Sequence, residues 1–435
     1  MKSLKHKIIQ FLKDVTRPAR HFIMSRVREV LLKRDVVICR NNFVRQIERC
    51  RDKLKQGEKL RVMFLVSELS KWKTQSLYDA MAQSKEFEPF VAVSGRGMWW
   101  NHPEYKSLTE EAVKSFRNKG MKYEVVADFN TMTNRPLEEL RPDIVFYEQP
   151  YDWGREYMPI SVSRFALTAY VPYYVPTNEI DPSWYTEPFF RTNFLYILLN
   201  ERIKDALSAC IDPRKYSGRL VALGHTFYDL YGEAYAQPQK QERDLVIYAP
   251  HWTFDHPNNV NIQNISTFLW NGREILAYAK AHPEVKWLFK PHPRLQWQLV
   301  DSGVWTKDEV DAYYKEWEKL GQSYYGSDYV ALFNRSRAMI TDCSSFVAEY
   351  PPCGGAMIHL RSATQKLELL RAYGKMYDAF YQVHDLEEMY RVFDMVIARG
   401  EDPKREERMR AVRELNLLGN NAAKNIMNYL LDVVR

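Results

Sequence analysis

The chain has 435 residues, too many for one ordinary hydrophobic core, and its length predicts two domains. Hydrophobic residues make up 46% and charged residues 27% of the chain, which is typical of a soluble globular protein. The formal net charge is +7, but residues 1–34 carry ten Lys/Arg against Asp14 and Glu29, so the remainder is nearly neutral and no nucleic-acid partner is predicted.

The sequence predicts a protein that stays on the cytoplasmic side of a membrane. No stretch reaches the roughly 18 uninterrupted apolar residues that a membrane span needs. Lys5, Lys7 and Lys13 interrupt the apolar core that a secretory signal would require. The five cysteines are scattered without a CxxC pair, so neither a disulfide framework nor a zinc site is indicated, and a reduced compartment is the simplest interpretation.

Residues 1–56 are predicted to form a basic helical extension. Apolar residues recur among lysines and arginines over 4–15 and, after a helix break expected at Pro18, over 22–31. This pattern favours amphipathic helices on an anionic membrane surface, although a helix packed on the protein body would show the same periodicity. A polar helix at 42–55 then ends near Gly57.

Residues 57–236 are predicted to form the first α/β domain. Short apolar runs alternate with helical segments, which indicates a doubly wound parallel sheet with its ligands at the carboxyl ends of the strands. The predicted strands are 61–66, 87–93, 123–126, 143–147 and 219–223, and the predicted helices include 105–119 and 193–209. The side chains expected at one edge of this sheet are Ser67, Lys71, Trp72, Glu148 and Gln149.

A proline- and aromatic-rich stretch, 165–190, interrupts this alternation. Its four prolines preclude a plain helix, so we predict a long loop over a cleft that carries Tyr170, Tyr173 and Glu179. The later segment GHTFYD places His225 at a possible strand end.

Residues 237–435, beyond a polar linker at 235–242, are predicted to form a second α/β domain. Its predicted strands are 245–248, 286–289, 336–340 and 356–360, and its predicted helices are 275–282, 307–320, 386–398 and 405–431. Three strands end in polar segments, which are HWTF (251–254), PHPR (291–294) and TDCSS (341–345). In a parallel sheet all three emerge at the same edge.

The residues gathered at that edge suit a nucleotide diphosphate ester. Arg294 can hold phosphate oxygens bidentately, and His251 or His292 can donate to a phosphate or a leaving group. Further phosphate donors are expected in Thr253, Thr341, Ser344 and Ser345, with the two serines capping a helix that starts there. A carboxylate at Asp342 or Glu349 suits a ribose diol. The structural alternatives are that Asp342 serves only as a helix cap and that His251 serves only to stack on Trp252 or to cap.

At this point the sequence resembles the CDP-glycerol glycerophosphotransferases, which polymerise teichoic-acid-type chains. YAPHWTF (248–254) is similar to their YAPTWR segment, KPHPR (290–294) to their HP motif, and ITDCSSFVAEY (340–350) to their ITDYSS motif with its downstream acidic residue. GHTFYD (224–229) lies where the family has a G-N/K-P-x-x-D turn. The resemblance covers roughly residues 160–400. The GxGxxG, P-loop, GxSxG, HExxH and DxD motifs are absent.

The resemblance implies a GT-B architecture, in which two Rossmann-like domains face a cleft with the donor nucleotide on the C-terminal one. It also implies metal- and cofactor-independent transfer of glycerol phosphate from CDP-glycerol to a membrane-bound acceptor. By carry-over, His292 and Arg294 neutralise the donor phosphates, Thr341, Ser344 and Ser345 donate to them, and Glu349 holds the ribose. The acceptor side would be lined by Ser67, Lys71, Trp72, Tyr170 and Tyr173.

One departure from the family pattern concerns the general base. The family carries a catalytic histidine in a W-H-G-x-P-L-K segment, whereas the corresponding stretch here is AYVPYYVPTNE. Tyr170, Tyr173 and Glu179 are local substitutes, and His225 or His251 could come from across the cleft.

Three functions stay open. The first is a glycerophosphotransferase that makes a cell-surface polymer, and the second is a glycosyltransferase of the same architecture that uses a nucleotide sugar. The third is a non-catalytic nucleotide- or glycan-binding relative. For each we expect a bacterial cytoplasmic protein, held at the inner face of the membrane by residues 1–34.

Overall fold

The computed structural model describes residues 17–95, 103–175, 182–232, 243–256, 264–324, 329–363, 373–419 and 421–435. Three sequence predictions fall outside them: the amphipathic stretch at 4–15, the candidate base Glu179 and the linker at 235–242. The predicted α/β class with two doubly wound parallel sheets is confirmed.

Two parallel sheets organise the chain. The strands of the N-terminal half are β1 (Leu60–Val66), β2 (Phe87–Val93), β3 (Tyr123–Val125), β4 (Ala127–Asp128), β5 (Thr133–Asn134), β6 (Ile144–Tyr147), β7 (Leu167–Tyr170), β8 (Leu195–Leu198) and β9 (Arg219–Ala222). Those of the C-terminal half are β10 (Leu245–Ala249), β11 (Lys286–Phe289), β12 (Gln322–Ser323), β13 (Ser336–Thr341), β14 (Ala356–Leu360) and β15 (Tyr381–Val383). The sheet orders are β3-β2-β1-β6-β7-β8-β9 and β12-β11-β10-β13-β14-β15, and β4 pairs with β5 separately.

Helices cover both sheets. Those of the N-terminal half are α1 (Arg17–Lys55), α2 (Gln75–Gln83), α3 (Pro103–Asn118), α4 (Pro159–Val162), α5 (Pro182–Tyr185), α6 (Pro188–Thr192), α7 (Glu201–Cys210) and α8 (Thr226–Asp229). Those that follow are α9 (Phe268–Ala281), α10 (Leu295–Asp301), α11 (Lys307–Leu320), α12 (Val330–Arg335), α13 (Ser344–Glu349), α14 (Gly374–Asp378), α15 (Leu386–Phe393), α16 (Arg405–Glu414) and α17 (Ala422–Val434).

Each sheet changes winding direction at one pair of neighbouring strands. In the first sheet β1 lies beside β6, and in the second β10 lies beside β13. Crossovers leave such a pair in opposite directions, which opens a crevice outside the carboxyl ends of the strands. The fold therefore places the residues that follow β1, β6, β10 and β13 at natural binding positions.

The hydrophobic core runs through both halves. Because alternate side chains of a strand point to opposite faces, Val62 and Phe64 pack with α1, α2, α3 and α17 on one side of the first sheet. Met63 and Leu65 instead join a cluster that also contains Ile247 of β10. This shared layer joins the two halves, while a third cluster covers the other face of the second sheet.

Several predicted elements differ from the structure. The stretch 165–190 contains the buried strand β7 and the short helices α5 and α6 rather than one long loop. The single helix predicted at 193–209 is β8 followed by α7. Both strands are four-residue, fully buried runs, which carry no alternating pattern to distinguish them from helix.

The N-terminal extension is one continuous helix from Arg17 onward. Pro18 lies in its first turn, where a proline removes no intrahelical hydrogen bond. One face packs on the body through Leu32, Val36 and Phe43. Within the described residues, no helix combines the length and apolarity needed to cross a membrane.

The last helix, α17, belongs physically to the N-terminal half. The segment predicted as one helix at 405–431 is α16 and α17, separated by a turn in which Asn416, Gly419 and Asn421 have positive φ. The Asp229 carboxylate accepts the backbone N–H groups of Ala422 and Ala423 at 2.7 and 2.8 Å. This corrects the prediction that the closing helices all complete the C-terminal domain.

We expect Leu430→Ala in α17 to lower the free energy of unfolding by about 2–5 kcal/mol, because Leu430 is buried against the first sheet. Leu31→Ala removes an exposed leucine from another helix and should cost no more than about 0.5 kcal/mol. Denaturant unfolding measures both changes. Equal small effects would show that α17 is not part of this core.

Candidate functional site

A cavity of about 580 Å³ lies between the carboxyl edges of the two sheets. Its lining from the N-terminal half includes Glu68, Lys71, Lys73, Tyr151, Asp152 and Tyr173. Its lining from the C-terminal half includes Trp252, Lys290, His292, Arg294, Tyr329, Ser345 and Glu349. The two halves therefore contribute opposite walls, as the resemblance implied.

The buried Asp342 carboxylate holds the C-terminal wall together from behind. Its Oδ1 accepts the His251 N–H at 2.5 Å, and its Oδ2 accepts the N–H and the hydroxyl of Thr267 at 2.6 and 2.9 Å. Burial raises the pKa of Asp342, while these hydrogen bonds act against the rise. Asp342 thus joins the end of β13 to the loop after β10 and to the start of α9, and it does not line the cavity.

Two further predicted phosphate donors also lie in the supporting framework. The Thr341 hydroxyl donates to the Ala249 carbonyl at 2.7 Å and accepts the Cys343 N–H at 3.0 Å. The Thr253 hydroxyl lies 2.8 Å from His251 Nδ1. The prediction that Thr341 and Thr253 donate to phosphate is therefore corrected, because their hydroxyls hydrogen bond within the loops that follow β13 and β10.

The serines of the same motif begin α13 rather than cap it. Cys343 occupies the N-cap position and contributes no side-chain hydrogen bond there, so the predicted serine caps are wrong. Ser345 lines the cavity, whereas Ser344 is not among its lining residues.

His251 and His292 lie together, with their ring centroids 5.1 Å apart. His251 Nδ1 accepts the Thr253 N–H at 3.3 Å, and His292 Nδ1 accepts the Arg294 N–H at 3.1 Å. Burial, then the neighbouring His251, Arg294 and Lys290, holds the pKa of His292 well below its usual value. Because each Nδ1 accepts a backbone N–H, the neutral form of each imidazole carries its proton on Nε2 and offers an N–H donor there.

Arg294 projects from the start of α10 at the mouth of the cavity. Its guanidinium lies 5.2 Å from the Trp252 ring centroid, which restrains a side chain that is otherwise exposed. The planar guanidinium can bind two oxygens of one phosphate group. His292, Arg294 and Ser345 together make this wall a donor surface for an anion.

A buried cluster, of which the sequence analysis predicted only Glu349 as a site residue, forms the floor of the cavity. Lys73 Nζ lies 3.5 Å from Glu349 Oε2, and the Tyr329 hydroxyl hydrogen bonds with both groups. Lys290 Nζ lies 4.8 Å from the Tyr329 ring centroid. Burial lowers the pKa of Lys290 to about 8, and the Lys73 ammonium adds to that shift. Lys290 directly precedes the PHPR segment, so its position was available from the sequence, whereas Lys73 and Tyr329 lie in no motif.

The opposite wall brings together only part of the predicted acceptor side. Lys71 lies 2.5 Å from the Glu68 carboxylate, hydrogen bonds with Gln149, and packs 5.3 Å from the Tyr173 ring centroid. The Tyr173 hydroxyl accepts from Tyr151 at 2.8 Å. Glu68 is a cavity residue that the sequence predictions omitted, although it follows the first strand by two positions.

Three other predicted acceptor residues lie elsewhere. Trp72 packs against Phe64 and Phe116 in the core, and Tyr170 is fully buried among aromatic rings. The Ser67 N–H and hydroxyl donate to Glu148 Oε1 at 2.8 and 3.1 Å, beneath the wall. The position of a residue near a strand end correctly predicted that it lies near the cavity, but it did not predict whether its side chain points into the cavity.

His225, a candidate base, is fixed by the backbone. Its Nδ1 accepts the Phe227 N–H at 3.3 Å, and its Nε2 lies 2.7 Å from the Pro172 carbonyl. Both ring nitrogens are therefore occupied. Burial lowers the pKa of His225 to about 4, and it does not line the cavity.

No protein-family model matches the chain, and no curated protein matches its sequence. Solved structures do match its fold. A Listeria monocytogenes protein assigned as a UDP-N-acetylglucosamine 2-epimerase has a TM-score of 0.51 at 13% identity, over 85% of this chain and 95% of its own. S. aureus MnaA, solved with UDP, has a TM-score of 0.50 at 12% identity, over 86% and 97%. The chain therefore has a GT-B-type fold.

We expect Glu148→Gln to stabilise the protein relative to wild type as the pH rises from about 4.5 to about 7. Burial raises the pKa of Glu148 from 4.5 to about 7, and its Oε2 has no hydrogen-bond partner among the described residues. Between these pH values the folded protein holds a proton that the unfolded chain releases, so wild-type stability falls with rising pH. The difference in unfolding free energy should change by about 3 kcal/mol across this window and level off on both sides. A pH-independent difference would contradict the buried, protonated carboxyl.

Proposed function

We propose that this protein is a transferase that moves glycerol phosphate, or a related polyol phosphate, from a CDP-activated donor to a hydroxyl group of a membrane-associated acceptor. The observation that carries the proposal is the C-terminal wall, where the imidazole N–H of His292, the Arg294 guanidinium, the Lys290 ammonium and the Glu349 carboxylate share one cavity. Cationic and N–H donors suit the two phosphates of a nucleoside diphosphate, and a carboxylate suits the ribose diol. Two of the sequence motifs supply these four residues: KPHPR (290–294) contains Lys290, His292 and Arg294, and ITDCSSFVAEY (340–350) contains Glu349.

In the proposed reaction the acceptor oxygen forms a bond to the phosphorus that carries the glycerol. The bond between that phosphorus and the bridging oxygen of CMP breaks, and CMP leaves with the bonding pair. Arg294 and the Nε2–H of His292 stabilise the charge that develops on the phosphates. No step requires a histidine to accept a proton, which agrees with the neutral tautomers of His251 and His292.

The acceptor proton needs a base on the N-terminal wall, and Glu68 is the best placed. Its carboxylate lines the cavity at the winding change of the first sheet and is oriented by Lys71 at 2.5 Å. Tyr170 is enclosed in the core, and His225 has both nitrogens occupied. Glu68 would therefore take the role of the histidine that the family carries in the segment replaced here by AYVPYYVPTNE.

A second candidate is a glycosyltransferase that uses a nucleotide sugar. Two observations favour it: the family's acceptor-side histidine is missing, and S. aureus MnaA, which is similar in fold, was solved with UDP. The same wall would then hold the leaving nucleoside diphosphate, and the bond that breaks would be the one at the anomeric carbon. A non-catalytic binding protein would not require the Glu68–Lys71 pair in the cavity.

We also propose that α1 rests on an anionic membrane surface at the inner face of the cytoplasmic membrane. Val30, Val37 and Val44 are exposed and recur every seven residues, so they lie along one side of the helix. Exposed Arg26 and Lys33 lie on the same side. An apolar row flanked by basic residues suits insertion at the level of anionic head groups.

We expect CDP-glycerol to raise the melting temperature, because a ligand that binds only the folded state stabilises it by about 2.7 kcal/mol at about 100 times its Kd. A panel of CDP-glycerol, CDP-ribitol and UDP-, GDP- and dTDP-sugars separates the two candidate functions. Arg294→Ala should abolish the shift without changing the melting temperature of the free protein, since the side chain is exposed. Arg273→Ala, which removes an exposed arginine that also packs on a tryptophan, is the matched control. No shift with any cytidine nucleotide would reject the CDP donor.

We expect the triple variant Val30→Gln, Val37→Gln, Val44→Gln to weaken binding to phosphatidylglycerol vesicles at least about tenfold, because each buried valine contributes about 1.5 kcal/mol or more. Vesicle co-sedimentation measures this change, with zwitterionic vesicles as the reference. Deletion of residues 1–28 is a second test. The deletion ends there so that Glu29 remains as the partner of buried Arg191 at 2.7 Å. Val125→Gln changes an exposed valine elsewhere and serves as the control. Wild-type binding by the triple variant would exclude this surface, and wild-type binding by the deletion variant would exclude a contribution of residues 1–28.

A further inference from the structure

The only N-terminal-half ammonium that reaches the floor of the C-terminal wall, among the described residues, is that of Lys73. It lies in the loop between β1 and α2, and its carbonyl accepts the Thr226 hydroxyl at 2.7 Å, which fixes the loop. The side chain crosses the cleft to Glu349 at 3.5 Å and packs 4.8 Å from the Phe227 ring centroid. Lys73, Tyr329 and Glu349 all line the cavity. This ion pair therefore lies where a ligand would bind, rather than behind the wall.

The geometry of this ion pair would allow the Lys73 ammonium to donate a further hydrogen bond to a ligand. A charge-assisted N–H···O hydrogen bond is normally about 2.7–2.9 Å long, so the 3.5 Å separation of Lys73 and Glu349 is loose. The Tyr329 hydroxyl bridges the two groups. An ammonium has three N–H donors, and within the described chain these two partners use at most two of them.

We propose that Lys73 is a phosphate-binding residue of this site and that a nucleoside diphosphate separates it from Glu349, with the ribose hydroxyls taking the carboxylate and a phosphate oxygen taking the ammonium. The inference rests on the proposed nucleotide site and adds a residue from the opposite domain to it.

The exchange has a clear energetic consequence. Leaving one member of a buried ion pair without a partner is strongly destabilising, because the remaining charge is desolvated. A nucleoside alone would take Glu349 and leave the Lys73 ammonium unpaired, and a phosphate anion alone would leave the Glu349 carboxylate unpaired. A ligand that carries both groups satisfies both. The site therefore selects nucleoside diphosphates over either fragment, beyond the sum of their separate contacts.

The decisive experiment compares Lys73→Met and Glu349→Gln, with cytidine, inorganic pyrophosphate and CDP as probes in isothermal titration. We expect Lys73→Met to raise the Kd of CDP and of pyrophosphate by about tenfold or more, the usual loss for a hydrogen bond to a charged group, and to leave cytidine unchanged or tighter. Glu349→Gln should weaken cytidine and leave pyrophosphate unchanged or tighter. UDP and uridine replace the cytidine probes if the panel selects a uridine nucleotide.

The two substitutions are expected to weaken different probes, and this difference separates a ligand-binding role of Lys73 from a structural role. If Lys73 only braces the two halves, both substitutions will shift all three probes by the same factor or by none, and the inference is overturned. Lys53→Met is the matched control, since Lys53 also pairs with a buried carboxylate, that of Asp143 at 2.7 Å, but lies outside the cavity. It should leave all three affinities unchanged.

Two further outcomes remain informative. If Lys73→Met does not fold, the neutral double variant Lys73→Met, Glu349→Gln is compared with Glu349→Gln, and an equal pyrophosphate Kd in the two rejects the role of Lys73. If wild type binds no nucleoside diphosphate, the proposed function fails. The phosphate role of Lys73 then stands only if pyrophosphate binds wild type and not Lys73→Met.

Discussion

The hydrogen bonds of the buried Asp342 carboxylate are the interaction on which the C-terminal wall of the cavity depends. Its two oxygens accept three hydrogen bonds from His251 and Thr267, at 2.5 to 2.9 Å. These donors belong to the loop after β10 and the start of α9, while Asp342 directly follows β13. One side chain therefore fixes the separation of the two strand exits at the winding change of the second sheet. Without it, the His251 backbone N–H would lose the hydrogen bond that positions this residue.

A second constraint is the desolvation free energy of enclosing several charged side chains in one cleft. Lys71 faces Glu68, and Lys73 faces Glu349, so each lysine of the N-terminal half enters the cavity with a carboxylate partner. Lys290 packs 4.8 Å from the Tyr329 ring centroid. Buried pairs of this kind contribute little to stability, because desolvation offsets their attraction. Their placement in a ligand-sized cavity is better explained by function than by folding.

The sequence was sufficient for the parallel α/β class, for most strands of the two large sheets and for the positions of the three polar strand exits. Apolar runs that end in HWTF, PHPR and TDCSS are strands β10, β11 and β13 with their exit loops, because burial and local polarity change together there. It was insufficient for β7 and β8, since four buried residues have no usable periodicity. It also could not give side-chain direction, so Trp72 and Tyr170 were predicted on the acceptor wall and lie in the core. Lys73 was missed because its importance comes from a partner far away in sequence.

A chain of contacts connects α1 to the wall of the cavity that the N-terminal half contributes, which gives the two proposals a common geometry. Glu29 of α1 pairs with buried Arg191 of α6 at 2.7 Å, and Arg28 pairs with Glu187 just before α6 at 2.7 Å. In the neighbouring α5, the exposed Trp184 packs 6.2 Å from the ring centroid of Tyr151, which lines the cavity. A membrane-held acceptor would therefore pass from α1 along an aromatic surface to Glu68 and Lys71. Such a route would require a defined orientation of α1, which its ion pairs with buried Arg191 and with Glu187 supply and which a simple tether would not need.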